Sequence, residues 1–433
     1  MLSVSYWFIT GPVIPKQETI NENAAIELVK NKYSDLKEYY SNQLPPKSIK
    51  TEKAAGGWYA VFAEPTRSSD ADMLAHWISA QQFSNPELPS YGGVKIHPGV
   101  AATSADGKQY QRVSPYFANL GVLGMLRTKS PGYVNLAENW IRWYFAHLNK
   151  ESAPDGVPYE HFYLADGGGE TTCVKPGDPF LCHYNDATDS AAATFFSVLW
   201  AAHEAGIART TLNTPERKKL VETLAEVLLK LQQTDGLYWA KSDYRVKYLE
   251  DNSEVFAGLR DLANLERDVF NDAERSTFYK TAANRVQQAI LKELYDPKAE
   301  LYAVAKFEDN SRPAADLDKW YPDTQAQSWP HLFGVVPPTD PKTKAVMSAV
   351  NARWSGQTKP DWAANPDRIN NGWIEAGDAY AALLTGDTWR VRKYIEAVKR
   401  LKFPKSADAS DFEWPFSVTE AGWLLQIVTR IPN

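Results

Sequence analysis

Two kinds of helix alternate along this chain, and the alternation restricts its fold more than any other feature. Residues 187–205 are apolar or small on nearly every face, which is the pattern of a helix surrounded by other helices. The segment 215–233 instead carries its leucines on one stripe, among them Leu224 and Leu228, with charged side chains elsewhere. The first segment is predicted to be an inner helix and the second an outer helix that faces solvent.

The same order recurs along the chain. Further inner helices are predicted at 116–128, 253–267, 323–334, 370–384 and 416–430. Their amphipathic partners are predicted at 133–149, 273–294, 341–354 and 387–401. A lone amphipathic helix near 23–41 is expected to pack on the last inner helix and complete a sixth pair, while a short helix near 69–81 is left over.

Repeated helix pairs form either an open solenoid or a closed ring. The long irregular connectors favour a ring, because insertions of this kind commonly build a site at one end. These connectors are 82–115, 150–186, 234–250 and 295–322. We therefore predict an all-α (α/α)6 toroid with short hairpins around Gly236–Trp239 and Glu300–Ala303. Length alone suggests about three domains, but we expect a single domain over 1–433, with 1–22 as an extended N-terminal segment.

Charge and hydropathy exclude several classes of protein. With 47 basic and 53 acidic residues the net charge is −6, and no run of Lys or Arg could follow a phosphate backbone, so nucleic acid is not an expected partner. No apolar run reaches the roughly 18 residues that span a bilayer. The apolar opening 1–9 lacks preceding basic residues and is a poor signal peptide as it stands.

The two cysteines, Cys173 and Cys182, lie in one loop that contains Pro and Gly. We predict that they form a disulfide; two separate reduced thiols are the alternative. A bridge would place the protein outside the reducing cytosol, in an extracellular or periplasmic location.

Three short sequence segments accompany the alternation of inner and outer helices. They are Asp235-Gly236-Leu237-Tyr238-Trp239, Tyr248-Leu249-Glu250-Asp251-Asn252 and Trp373-Ile374-Glu375-Ala376-Gly377-Asp378. Together with the helix alternation, these segments make the chain resemble the six-hairpin glycosidase superfamily, whose (α/α)6 toroids include glycoside hydrolases, polysaccharide lyases and sugar epimerases. The resemblance covers nearly the whole chain, but no catalytic motif of a single family matches, so no catalytic pair is carried over from it.

In such a ring the inner helices run in one direction, and their N-termini meet at one mouth. The residues expected there as sugar-binding groups are Tyr116, His183, Tyr184, Trp320, Tyr321, Gln325, Trp373 and Trp414. Flat aromatic rings cover the apolar faces of sugars, while amides and carboxylates bind hydroxyl groups. An oligo- or polysaccharide is therefore the expected ligand. For Trp373, a place in the core is the alternative.

Glycoside hydrolysis needs two carboxyl groups, one protonated and one ionised. The preferred pair is Asp189 and Asp251, at the starts of consecutive inner helices, with Asp323 and Glu375 in reserve. Each of these acids also has a simpler explanation, because Asp at a helix start caps backbone N–H groups and first-turn acids are stabilised by the helix dipole.

Two other functions remain open. His183 beside Tyr184 could abstract a proton and protonate a leaving oxygen, as in a uronate lyase, and an epimerase on a similar ring is related to that alternative. A glycan-binding protein that has lost its catalytic acid is the second. The histidines lack the short spacings of a zinc motif, so neither a metal nor a cofactor is predicted, and we expect a monomer.

Overall fold

A computed structural model describes residues 49–53, 59–63, 69–128, 133–149, 156–207, 212–401 and 415–431. The chain divides into two compact units, Met1–Asp72 and Met73–Asn433. In the first unit, strands β1 (Ile49–Lys53) and β2 (Tyr59–Ala63) form an antiparallel hairpin. The predicted helix near 23–41 and the segment 1–22 lie outside the described residues, and the single domain over 1–433 stays a prediction.

Six inner helices form a closed ring in the second unit. They are α2 (Pro115–Arg127), α4 (Thr188–Glu204), α6 (Leu249–Asp268), α8 (Trp329–Leu332), α10 (Ala376–Leu384) and α12 (Val418–Val428). Each inner helix contacts the next one in this order, and α12 contacts α2. The predicted (α/α)6 toroid is therefore confirmed.

The outer helices follow their inner partners along the chain. They are α3 (Val134–Ala146), α5 (Pro215–Lys230), α7 (Ala273–Ala289), α9 (Pro341–Arg353) and α11 (Thr388–Leu401). Capping fixes where several of them begin. Thr214 accepts a hydrogen bond from the backbone N–H of Arg217 ahead of Pro215, and Asp272 accepts one from Arg275.

The short helix that the sequence left unassigned is α1 (Ser69–Ala80). Its Trp77 packs edge to face on Phe416, with ring centroids 5.0 Å apart, just before α12 begins. Helix α1 therefore contacts the segment that leads into the last inner helix, α12. The sequence predicts that the helix near 23–41 packs on this inner helix. Among the helices that the structure describes, none combines the length and the apolar character needed to span a bilayer.

Glycine and alanine allow the inner helices to touch backbone to backbone. A side chain on Gly124 of α2 would overlap the carbonyl of Gly422 on α12, and one on Gly258 of α6 would lie 2.5 Å from the carbonyl oxygen of Ala193 on α4. At these crossings the small residues let neighbouring inner helices approach closely.

Two inner helices are shorter than predicted. The region 323–334 contains a π-helical turn, Trp320–Thr324, and the single turn α8, because Pro322 and Pro330 cannot donate backbone hydrogen bonds to a longer helix. The helix predicted from 370 begins at Ala376, since Glu375 holds a left-handed backbone with φ 52° and ψ 53°. Both changes leave irregular backbone at the mouth.

The same pair of side-chain amide hydrogen bonds joins each of two connectors to the segment at the start of an inner helix. The side-chain amide of Asn252 accepts from the backbone N–H of Tyr238 at 2.7 Å and donates to its carbonyl at 3.2 Å. Gln327 bonds both backbone groups of Tyr302 in the same way, each at 2.9 Å. These hydrogen bonds hold the Leu-Tyr segment of each connector. Each segment follows a residue with positive φ, Gly236 in one connector and Glu300 in the other.

The remaining strands form small antiparallel sheets in the connectors. Strands β3 (Ala102–Thr103), β4 (Gln109–Val113) and β5 (His161–Leu164) form one sheet, β6 (Val246–Tyr248) pairs with β9 (Ala305–Phe307), and β7 (Tyr295–Asp296) pairs with β8 (Leu301–Tyr302). The β7–β8 pair confirms the hairpin predicted near Glu300, whereas the segment near Gly236 forms a single bridge, between Gln232 and Tyr238.

The predicted disulfide is present. Cys173 and Cys182 are bonded, and their backbones form a bridge within the loop that follows β5. The bond closes a loop of nine residues' separation beside the sheet of β3, β4 and β5.

Closure of the ring through Gly124 can be tested by adding one methyl group. We expect Gly124→Ala to lower the free energy of unfolding by about 1–3 kcal/mol, because the new Cβ overlaps backbone that cannot rotate away. Chemical denaturation measures this. Gly168→Ala is the control: its Cβ meets only the carboxylate of Asp166, 3.3 Å away, and its cost should stay within about 0.5 kcal/mol. Equal stability of the two variants would contradict the backbone contact.

Candidate functional site

Carboxyl groups collect at the starts of four inner helices. Among the described residues, the set consists of Asp189, Glu250, Asp251, Glu254, Glu375, Asp378 and Glu420, which we call the acidic mouth. Glu250 shows that they converge, since its pKa is raised by burial and then by the charges of residues on two helices, Asp251 and Glu254 on α6 and Asp378 and Glu375 at α10. None of the seven forms a salt bridge with a described Lys or Arg.

Two side-chain hydrogen bonds hold one carboxylate oxygen of Glu254. The hydroxyl of Tyr116 donates to its Oε1 at 2.7 Å, and the indole N–H of Trp329 donates to the same oxygen at 3.1 Å. Its other oxygen is buried without a hydrogen-bond partner. Burial raises the pKa of Glu254 to about 7, although these donors partly oppose the rise.

The structure brings the preferred pair, Asp189 and Asp251, close together. Burial and then the charge of Asp251 raise the pKa of Asp189 well above its usual range. Burial and the charge of Glu254 do the same for Asp251. The two acids differ in access: Asp251 is half-buried, whereas Asp189 is 0% exposed and accepts the backbone N–H of Ser190 at 2.8 Å.

A second group of acids lies at α10 and α12. Asn370 and Gln325 donate amide hydrogen bonds to the two oxygens of Glu375, at 2.5 and 2.8 Å. Burial raises the pKa of Glu375 to about 7, and the bond from Asn370 moderates the rise. Glu420 accepts the backbone N–H of Ala376 at 2.7 Å, and burial and the charge of Glu375 raise its pKa to about 8.

Helix dipoles do not keep these acids ionised. A helix N-terminus stabilises a nearby carboxylate by about 0.3–1 kcal/mol, and by up to about 2 kcal/mol in partly buried sites. The rise in the pKa of Glu254 from 4.5 to about 7 corresponds to about 3 kcal/mol in the opposite direction. Burial therefore outweighs the dipole, and the mouth holds carboxyl groups that keep protons near neutral pH.

Aromatic rings flank the acids. Tyr321 is 60% exposed, and its pKa is raised by burial of the hydroxyl and by the charges of Glu250 and other mouth acids, so it stands at the edge of the acidic mouth. A row of rings runs from Tyr116 through Phe117 to Trp373, with centroid separations of 5.9 and 6.4 Å. Trp373 is half-buried, so its placement lies between the two predicted alternatives.

The prediction that Trp320 lines the cleft does not hold for its ring. Trp320 is 4% exposed and packs edge to face on Trp354 with centroids 5.0 Å apart. The two neighbouring aromatic residues take opposite roles, because the more apolar indole is buried while the hydroxyl-bearing ring of Tyr321 remains at the surface.

The other predicted residues occupy varied positions. His183 is exposed and its Nδ1 lies 3.0 Å from the hydroxyl of Thr172. Tyr184 donates to Asp186 at 2.7 Å. The carboxylate of Asp323 accepts the backbone N–H of Asp316 at 2.8 Å and so holds its own loop. Trp414 lies outside the described residues.

Several acids of the mouth were not among the predicted catalytic residues. Glu254 and Glu420 lie within the first two turns of their helices, and Asp378 lies in the first turn of α10, three residues after Glu375. Their positions near helix starts are the signal in the sequence for these acids. From sequence alone, an acid at a helix start can equally be a helix cap, and only its burial in the structure separates a cap from a site residue.

The opposite end of the ring carries charges of both signs. A cavity of about 340 Å³ lies there, near the C-terminal ends of inner helices, and its lining includes Arg127, Arg430 and Glu204. Arginines near helix C-termini complement the free carbonyl groups. Unlike the acidic mouth, this end therefore combines acidic and basic side chains.

No protein-family model matches this sequence, and no curated protein matches it. Solved structures do match the fold. A wild-type glycosidase superposes with a TM-score of 0.53 at 14% identity, over 83% of this chain and 95% of its own. A glycosidase variant in complex with glucose gives 0.54 at 13% identity over the same shares. A novel alpha-amylase from Clostridium perfringens gives 0.51 at 11%, over 83% of this chain and 96% of its own. The chain thus shares its fold with these solved structures, which confirms the predicted toroid at the level of the fold.

The raised pKa values predict how stability depends on pH. Folded Glu420 keeps its proton up to about pH 8, whereas an unfolded Glu loses it near pH 4.3. The unfolded state binds fewer protons in between, so the free energy of unfolding should fall as pH rises from 6.5 towards 8, by up to about 1.4 kcal/mol per pH unit for each such group, and level off above the folded pKa. Buried His331, whose pKa is lowered to about 4, acts below this window.

Glu420→Gln should flatten that decline, because an amide has no proton to lose and can still accept from Ala376. Thermal or chemical denaturation at several pH values measures the slope. Glu396→Gln, whose side chain is 70% exposed on α11, is the control and should keep the wild-type slope. Parallel slopes for all three proteins would show that Glu420 titrates normally.

Proposed function

We propose that the protein is a glycoside hydrolase that cleaves a neutral oligo- or polysaccharide at the acidic mouth. The observation that carries the proposal is the cluster of seven buried or half-buried carboxyl groups, which pair with no described Lys or Arg and lie beside the exposed ring of Tyr321 and the half-buried ring of Trp373. Such a site can supply both a proton donor and an ionised carboxylate near neutral pH. The glycosidase and the alpha-amylase of similar fold are consistent with it.

Asp251 is the proposed general acid. It is half-buried, so a substrate oxygen can reach it, and both burial and the charge of Glu254 favour its protonated form. A proton held near neutral pH is what a leaving oxygen requires. Glu250, next in the chain and also half-buried, is the nearest substitute.

Glu375 is the proposed ionised partner, as base or nucleophile. Two amide groups donate to its two oxygens, which favours the carboxylate over the acid. Its left-handed backbone is uncommon for a residue with a Cβ and costs about 1–3 kcal/mol, a cost that is typical of functional positions. The amide bond from Asn370, which lowers the pKa of Glu375, and the charge of Glu254, which raises the pKa of Asp251, support this division of roles.

Asp189 then acts through Asp251. Because Asp189 is fully buried, it cannot touch substrate. The charge of Asp251 raises its pKa, so the two carboxyl groups lie close enough to affect each other's ionisation. We assign it as a positioning residue that helps to keep Asp251 protonated. Asp323 holds the backbone of its loop, and this contact gives it a structural role.

The charge of the site indicates the class of sugar. The seven carboxyl groups have no described basic partner that could bind a uronate, which favours a neutral glycan over a polyanionic one. Tyr321, Trp373 and the row from Tyr116 offer the flat surfaces that neutral pyranose rings stack on. The disulfide supports an extracellular or periplasmic place of action.

Asp251→Asn and Glu375→Gln should each lower kcat by 10²-fold or more on a neutral glycan, which is the usual scale for loss of acid–base assistance. Glu266→Gln is the matched control, since Glu266 is a buried acid of α6 with a pKa raised to about 8 by burial, far along the helix from the mouth. Its kcat should stay near that of the wild type. Loss of activity only in the control would contradict the assignment.

Asp189→Asn separates a positioning role from a direct one. If Asp189 acts through Asp251, replacement of its carboxyl group by an amide should lower the pKa of the acid and move the alkaline limb of the pH–rate profile to lower pH. The maximal kcat should fall by less than about 10-fold. A loss of 10²-fold or more at every pH would instead make Asp189 itself the acid.

Tyr321→Ala should weaken substrate binding without loss of stability. Because the ring is 60% exposed, its removal leaves no cavity, while one stacking surface is lost. We expect KM to rise about 5–50-fold, equivalent to about 1–2 kcal/mol, with an unchanged melting temperature. Trp389→Ala, 64% exposed on α11, should change neither quantity. An unchanged KM in the Tyr321 variant would remove this ring from the site.

A further inference from the structure

We propose that His147, His161 and Glu170 bind a divalent metal ion of the zinc type. His147 follows the last residue of α3, His161 begins β5, and Glu170 follows the turn of Gly167, Gly168 and Gly169. The three come from separate segments that fold together, so no short histidine spacing announces them in the sequence. Their ligand atoms all lie within 4.8 Å of one another.

The distances suit a tetrahedral ion. Glu170 Oε1 lies 3.1 Å from His147 Nε2 and 2.8 Å from His161 Nδ1. The hydroxyl of Tyr163 lies 3.1 Å from the same oxygen and 3.3 Å from His147 Nε2. Zinc bonds of 2.0–2.1 Å place neighbouring ligand atoms about 3.3 Å apart in a tetrahedron. Both carboxylate–imidazole distances are therefore within about half an ångström of those in a tetrahedral zinc site.

The protons at His147 favour an ion in this place. Its Nδ1 lies 2.6 Å from the carbonyl oxygen of Trp143, which only accepts, so Nδ1 carries a proton. In the neutral ring Nε2 then has a lone pair, and that lone pair faces the Oε1 of Glu170. Two acceptors meet there unless a proton or a cation lies between them. The carbonyl of Trp143 also acts as the outer partner that orients ligand histidines.

The surroundings hold both imidazoles rigidly. The ring of His147 stacks on Trp143 with centroids 4.2 Å apart, and His161 packs edge to face on the same indole at 5.2 Å. His161 is buried, while Glu170 keeps a partly exposed side chain through which an ion can enter. Preorganised ligands of this kind lose little freedom on binding a metal.

The donor set indicates which metals would bind. Two imidazole nitrogens and one carboxylate oxygen suit Zn²⁺ and its substitute Co²⁺ better than Ca²⁺ or Mg²⁺, which prefer oxygen ligands. The disulfide-bonded Cys173 and Cys182 supply no thiolate. We assign the ion a structural role, because it would fasten the end of α3 to β5 and to the turn that carries Glu170. This role is independent of catalysis at the acidic mouth.

Isothermal titration of the untagged full chain with Zn²⁺, after treatment with a chelator, tests the proposal. The wild type should bind one ion, and His147→Ala and Glu170→Gln should each weaken binding by at least 10-fold. His76→Gln, an exposed histidine of α1, is the control and should bind as the wild type does. The melting temperature of the wild type and of the control should rise with Zn²⁺ concentration.

Co²⁺ provides a second readout that does not depend on the stability of one variant. Its visible absorption in the wild type should show a low-symmetry site that Glu170→Gln alters, even if His147→Ala fails to fold. Failure of the chelator-treated wild type to bind Zn²⁺, or equal affinity in the wild type and Glu170→Gln, would overturn the proposal. The cluster would then be an ion pair between protonated His147 and Glu170.

Discussion

Backbone contact between Gly124 of α2 and Gly422 of α12 closes the ring, and the contact of Gly258 with Ala193 joins α6 to α4 in the same way. Helices that touch this closely leave no room for large side chains at the crossing. The ring order of the inner helices then places acids from the starts of four of them in one cluster, as the charge effects on Glu250 show.

Placing acids in that space is costly, and the chain limits the cost with neutral donors. Tyr116 and Trp329 serve Glu254, Asn370 and Gln325 serve Glu375, and a backbone N–H serves Glu420. No described arginine or lysine neutralises the group. Because unpaired buried charge is unfavourable, protons remain on several of these acids near neutral pH. An enzyme that donates a proton to a leaving oxygen needs that property, whereas a folded scaffold alone does not.

The helix alternation could be predicted because the period of apolar residues is a property of each segment by itself. Lengths were harder to predict: Pro322 and Pro330 break the fourth inner helix, and left-handed Glu375 delays the fifth. Trp320 illustrates a different limit. An aromatic residue at a helix start suits a sugar platform or the core equally well, and only its contact with Trp354 decides between them.

The site itself was predictable in kind but not in detail. Asp189 and Asp251 were placed at one mouth from their positions at consecutive helix starts, and their mutual charge effect supports that placement. Their unequal access to solvent depends on how neighbouring helices cover them, which no local pattern encodes. The cluster of His147, His161 and Glu170 could not be predicted from the sequence. These residues come together only through the path of β5 and the turn that follows it.

Hydrolysis in H2¹⁸O tests the central claim most directly. The protein would be incubated with a panel of neutral oligosaccharides, and the products examined by mass spectrometry. The account predicts shorter saccharides that carry one ¹⁸O at the newly formed reducing end, because water is the second reactant in glycoside hydrolysis. Unsaturated products without ¹⁸O would indicate a lyase, and intact oligosaccharides that bind without cleavage would indicate a glycan-binding protein; either result would contradict the account.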